Sequence, residues 1–160
     1  MKVVLEYILK VVTNYYLISA VAAWLVAQIL KVVTGVFKTK KFTLIELFFG
    51  TGGMPSSHSA SVTALACAVG IRAGLDTPAF AICAILAMIV MRDATGMRRQ
   101  VGEQAKVLNE ILQNLVGAKD LKSTQKALNE LAGHTPMQVA AGAVVGIAVP
   151  FLVNLIPVFH

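Results

Sequence analysis

The chain has 160 residues, of which 57% are hydrophobic and only 14% charged, with a formal net charge of +6 and a mean hydropathy of +0.74. So small a charged share cannot cover a soluble domain, so the apolar excess requires lipid as its second solvent, and the length suffices for one helical unit over residues 1–160 and no more. The positive charge sits beside apolar runs and is not interleaved with stacking aromatics, which argues against nucleic acid and for anionic headgroups or a phosphorylated substrate.

In chain order, Glu6 and Lys10 interrupt the first apolar stretch and no small-residue cleavage site follows, so the start does not read as a cleavable signal. A membrane helix needs about 20 apolar residues. Residues 11–30 form the first such run, with Trp24 and the Tyr15–Tyr16 pair as candidate interfacial anchors. Residues 57–75 form the second and 77–97 the third; both are rich in small residues, as in helices that pack closely on their neighbours. Residues 136–159 form the fourth and contain no charge. Between the third and fourth, Val101, Ala105, Leu108, Leu112 and Leu115 recur at helical spacing. Leu121, Leu128 and Leu131 continue a weaker stripe after a break at residues 117–120. The expectation is an all-α polytopic membrane bundle of about four transmembrane helices, with an amphipathic helical hairpin over 98–134.

Four spans sort the charges onto two sides. Lys38, Lys40, Lys41, Arg98, Arg99, Lys106, Lys119, Lys122 and Lys126 fall together, with Lys31 and Arg92 at the boundary of that side, while Lys2, Lys10 and Arg72 fall on the other. The excess of basic residues makes the first side cytoplasmic. Cys67 and Cys83 lie in apolar runs without ligand-spaced partners and read as small buried hydrophobes.

Three stretches on the basic side carry polar chemistry. The run from Gly50 to Ser59 joins a glycine cluster that includes Gly53 to Pro55, Ser56, Ser57 and His58. Glycines let backbone approach a ligand, and a helix capped by Ser56 or Ser57 presents orphan amides and a positive dipole end to an anion. His58, in the first turn, can protonate a leaving oxygen; a capped loop with an interfacial histidine is the alternative. In the second stretch Arg98 or Arg99 can grip phosphate bidentately, and Asp93, inside the helix end, can orient a histidine or pair with an arginine. Charge that merely flanks the membrane is the alternative for the arginines. In the third, His134 stands just before the fourth span. Lys31 closes the first span seven residues before Lys38, so the two can share a face; snorkelling explains Lys31 equally well. Together these residues suit phosphoryl transfer to a histidine followed by hydrolysis. The carboxylate cluster of a metal-dependent phosphatase is missing from the pattern, so no metal or other cofactor is expected.

Pro55-Ser56-Ser57-His58 resembles the Pro-Ser-Gly-His motif of the type 2 phosphatidic acid phosphatases, relatives of the vanadium haloperoxidases. The runs from Gly52 to Ser59 and from Asp93 to Arg99 resemble the divergent bacterial and plastid branch of that superfamily over nearly the whole chain. The resemblance implies roles. Lys31 matches the lysine of the first motif, and Lys38 stands where an arginine is usual. His58 matches the general acid. His134 opens a His-x-x-x-Gln run like the end of the third motif and would be the nucleophile, with Arg98 or Arg99 as the phosphate clamp. Gln138 replaces the aspartate that orients the nucleophile, and Asp93 is expected to supply the missing charge. The implied substrate is a lipid phosphate in contact with membrane lipids, phosphatidylglycerophosphate or phosphatidate if the basic side is cytoplasmic. No nucleic-acid partner is expected, and a homo-oligomer stays open. A non-catalytic protein binding or moving phospholipid through the same anion site is the rival reading.

Overall fold

The computed structural model describes residues 2–39, 53–116 and 134–157, and the elements among them are all helical. α1 (Lys2–Val12) is apolar around most of its circumference but has no buried residue. It stops at Thr13, whose hydroxyl and amide both bond Leu9 O, at 2.7 and 2.9 Å. Asn14 then starts a new helix: its side-chain oxygen accepts from Leu17 N at 3.0 Å, as an N-cap does. α2 therefore runs Tyr15–Thr39. The expected first span, residues 11–30, is thus shifted toward the C-terminus, because hydropathy registers apolar content and not a capping side chain. Tyr15 and Tyr16 open α2, whereas Trp24 falls near its middle, away from either interface.

α3 (Ser57–Arg72) ends at Ala73, before Gly74 at φ +104°. α4 (Pro78–Thr95) begins behind the Thr77 cap, with proline in its first turn, where a missing amide costs nothing. α5 (Met97–Val116) follows across the single residue Gly96 and is the first arm of the expected hairpin. The second arm, residues 117–133, lies outside the described residues. α6 (Pro136–Asn154) starts at Thr135 in a reciprocal capping box with Gln138.

Among the described residues, three helices are long and apolar enough to cross a membrane: Tyr15–Thr34, Pro78–Thr95 and Pro136–Asn154. The remaining expected span, α3, has 16 residues, a rise of about 24 Å and less than a typical hydrocarbon core. It is nonetheless the centre of the bundle, packed on α2, α4 and α6. Ser56 N bonds Gln138 O at 2.9 Å at one end, and Arg72 Nε bonds Asn154 Oδ1 at 3.0 Å at the other. α3 and α6 are therefore parallel neighbours along their whole length, and α2 runs antiparallel to both.

The centre is built from small side chains. Ala23 and Ala27 of α2 meet Ala60, Ala64 and Ala68 of α3, with Tyr15, Val149 and Val153 closing the cluster. A Cβ on Gly142 would overlap the carbonyl oxygen of Ser56, and one on Gly146 would sit 2.5 Å from that of Ala60, so α6 lies backbone to backbone against α3. Large side chains point outward instead: Ile82, Ile85 and Ile89 on α4, and Val144, Ile147 and Phe151 on α6, are exposed. Small inside and large outside is the arrangement lipid permits and water penalises.

Candidate functional site

One end of the bundle collects the polar residues. The C-terminal halves of α2 and α4 arrive there, and α3 and α6 begin there. Two helix N-termini thus stand side by side, each with its dipole's positive end at this face. Ser56 ties them together. Its amide donates to Gln138 O at 2.9 Å, and its hydroxyl caps α3, accepting from Ser59 N at 3.4 Å and Ser59 Oγ at 3.1 Å. Of the two serines expected to cap, Ser56 does so, with its amide committed to Gln138 O. Ser57, buried behind it, is the first helical residue, where an amide has no intrahelical acceptor.

The two histidines meet here, with ring centroids 6.3 Å apart and planes tilted by 53°. His58 is exposed, while His134 is 5% exposed. Two bonds among its contacts help to position His134. Its amide donates to Ala94 O at 3.0 Å, fastening the start of α6 to the end of α4. Its Nδ1 lies 3.2 Å from Gln138 Oε1. That oxygen also accepts from Thr135 N at 2.9 Å, which identifies it as the amide oxygen and not the NH2 group. An oxygen can only accept, so Nδ1 carries a proton, and in the neutral ring Nε2 carries the lone pair. That tautomer is the one a nucleophilic or basic histidine requires.

Lys31 is buried, and its stem runs beneath the loop before α3: a Cβ on Gly53 would lie 2.9 Å from Lys31 Cγ, and Gly53 holds φ +95°. Thr34 binds the same loop, donating to Met54 O at 2.7 Å. Only glycine meets both demands, close approach and positive φ. One turn before Lys31, Gln28 is 3% exposed and its Oε1 has no hydrogen-bond partner among the described residues. Sequence reasoning did not single it out; a glutamine amid apolar residues one turn from a lysine was the available signal. Asp93 is half-buried on the last turn of α4, adjacent to the carbonyl that receives His134. Lys38 belongs to the last turn of α2, and Arg98 and Arg99 to the first turn of α5. The side chains of these three lie outside what is described.

A family model described as the Divergent PAP2 family matches residues 12–149. The chain belongs to this family. The match takes in α2, α3 and α4 of the bundle whole, α6 as far as Val149, and both His58 and His134. Within curated proteins, the chain is 44% identical over 148 residues to the uncharacterized membrane protein YuiD of Bacillus subtilis (strain 168), an alignment covering 87% of this chain and 93% of that protein. No solved structure shows a significant match. Membership of the Divergent PAP2 family accords with the Pro55–His58 and Asp93–Arg99 runs, and the three apolar spans identify a transmembrane protein.

Proposed function

We propose that this protein is a metal-independent lipid phosphate phosphatase of the cell membrane, working through a phosphohistidine on phosphatidylglycerophosphate or phosphatidate. The observation that carries the reading is the pairing of His58 with His134 at 6.3 Å, one ring exposed and the other buried in a defined tautomer. His134 Nε2 attacks phosphorus, an N–P bond forms and the P–O bond to the lipid breaks. Protonated His58 gives its proton to the departing lipid oxygen. Neutral His58 then takes a proton from water, whose oxygen attacks phosphorus and breaks the N–P bond, releasing inorganic phosphate. Lys31, Lys38, Arg98 or Arg99, together with the amides at Gly53 and Ser57, offset the charge of the phosphoryl oxygens. Asp93 supplies negative charge toward the imidazolium that His134 becomes. The excess of basic residues supports a cytoplasmic orientation of this end, and hence a headgroup in the inner leaflet.

The test is phosphate release from a panel of lipid phosphates by the purified protein, with acid-labile label trapped on His134. His134→Ala should abolish both release and label; His58→Ala should slow release. Activity retained in His134→Ala rejects the assignment. One observation favours a second reading, a protein that binds or moves phospholipid without hydrolysis: the partner of His134 Nδ1 is the neutral Gln138 and not a carboxylate. Headgroup binding abolished by Lys31→Ala, with no phosphate release by the wild type, would select it.

A further inference from the structure

The opposite end of the bundle holds a second organised cation. Arg72 is the last residue of α3, and its guanidinium carbon stands 4.4 Å above the ring of Tyr15. Its Nε donates to Asn154 Oδ1 at 3.0 Å. Tyr15 is itself fixed, its hydroxyl donating to Pro150 O at 2.9 Å and its ring meeting that of Tyr16 edge-on at 5.8 Å. Three helices thus hold one guanidinium. Snorkelling alone needs none of this, because a snorkelling arginine is free to swing.

We propose that Arg72 is a preset clamp for a phosphate oxyanion, and that its ligand is the headgroup of an anionic phospholipid in the leaflet opposite the histidines. With one π-face on Tyr15 and Nε on Asn154, the two terminal nitrogens remain as a planar fork, the geometry that takes two oxygens of one phosphate. Arg72 is exposed, and among the described residues no carboxylate pairs with it. Its partner Asn154 is the last residue of the apolar span Pro136–Asn154, the end of a candidate membrane crossing. The neighbouring side chains argue for a lipid over a free ion: Leu75 is 70% and Leu155 75% exposed, an apolar rim that acyl chains cover and inorganic phosphate does not. This inference stands independently of catalysis at the other end.

The experiment uses the delipidated full-length protein, titrated with phosphatidylglycerol, phosphatidylcholine or inorganic phosphate and read by native mass spectrometry. The wild type should hold one more phosphatidylglycerol per chain than Arg72→Gln, and equimolar inorganic phosphate should not displace it. Asn154→Ala keeps the charge but releases Nε, and should weaken that adduct several-fold; it also decides the matter if Arg72→Gln does not fold. Phosphate release from lipid substrates should be unchanged in both variants, so loss of this site and loss of the catalytic reading are separable. Equal phosphatidylglycerol counts in wild type and Arg72→Gln overturn the proposal, and so does a lowered Tm with the count unchanged, which marks a purely structural clamp. Displacement by inorganic phosphate overturns the lipid assignment.

Discussion

Gln138 Oε1 receives two donors, Thr135 N at 2.9 Å and His134 Nδ1 at 3.2 Å, so one side-chain oxygen both caps α6 and sets the tautomer of the buried histidine. The helix start and the proposed nucleophile are consequently not independent. Gln138→Leu removes both functions. Turnover should fall about 10²-fold, the scale of a mispositioned proton-transfer group, and stability by about 1 kcal/mol, that of a lost cap. Gln138→Glu keeps an acceptor at the same place in the capping box and adds charge beside an imidazolium. Its phosphate release should match or exceed that of the wild type. A correctly folded Gln138→Glu protein with turnover as low as Gln138→Leu would mean that Gln138 does not orient His134.

The contact of α6 with α3 supplies the second prediction. At Gly146 a Cβ would lie 2.5 Å from Ala60 O and 2.8 Å from Thr63 Cβ, and neither neighbour can yield without moving a helix. Gly146→Ala should therefore destabilise by about 1–3 kcal/mol, the usual range for overpacking. Gly142→Ala presses on the carbonyl of Ser56, beside the joint between the two helix starts. Activity should fall further than stability there, because the separation of the imidazoles changes. Thermal unfolding in detergent alongside phosphate release measures both; equal fractional losses in the two variants would argue against a special role for the joint.

Much of this arrangement was legible in the chain, for identifiable reasons. Apolar runs bounded by charge located the helices, since lipid requires length and hydrophobicity together. Pro55-Ser56-Ser57-His58 announced a capped helix start. The sequence put His58 and His134 on one side, and the coordinates bring their rings to 6.3 Å. Other features depend on single atoms that no composition window detects. The Asn14 side chain divides the first apolar run, and α3, at 16 residues shorter than the three apolar spans, is the most central helix. The choice between Ser56 and Ser57 as cap also awaited coordinates. The Gly142-x-x-x-Gly146 spacing is a close-packing signal that the sequence reading, which assigned small residues only to the second and third spans, did not use.

Gln28 offers a test of function against stability. A buried amide oxygen without a partner among the described residues is costly, and replacing such a group by an apolar side chain of similar shape is close to neutral or stabilising. Gln28→Leu should leave Tm unchanged or raise it. If the oxygen serves the proposed phosphate site through Lys31 one turn away, phosphate release should fall at the same time, the exchange of activity for stability expected of a site residue. A lower Tm with unaltered release would assign Gln28 to packing.

Asp93 raises the question of where the charge lost at Gln138 is recovered. The amide of His134 bonds Ala94 O, so the backbone joint between α4 and α6 lies one residue from Asp93. If the carboxylate stabilises the imidazolium, Asp93→Asn should reduce kcat about 10-fold, one pKa unit of interaction being worth 1.36 kcal/mol. KM should change little, since the neutral ground state gains nothing from the charge. Adding Gln138→Asp to Asp93→Asn should then restore most of the loss, because a carboxylate returns beside His134 Nδ1. Two independent roles would instead give additive effects in the double-mutant cycle. Undiminished kcat in Asp93→Asn would remove Asp93 from the mechanism and leave His134 oriented by Gln138 alone.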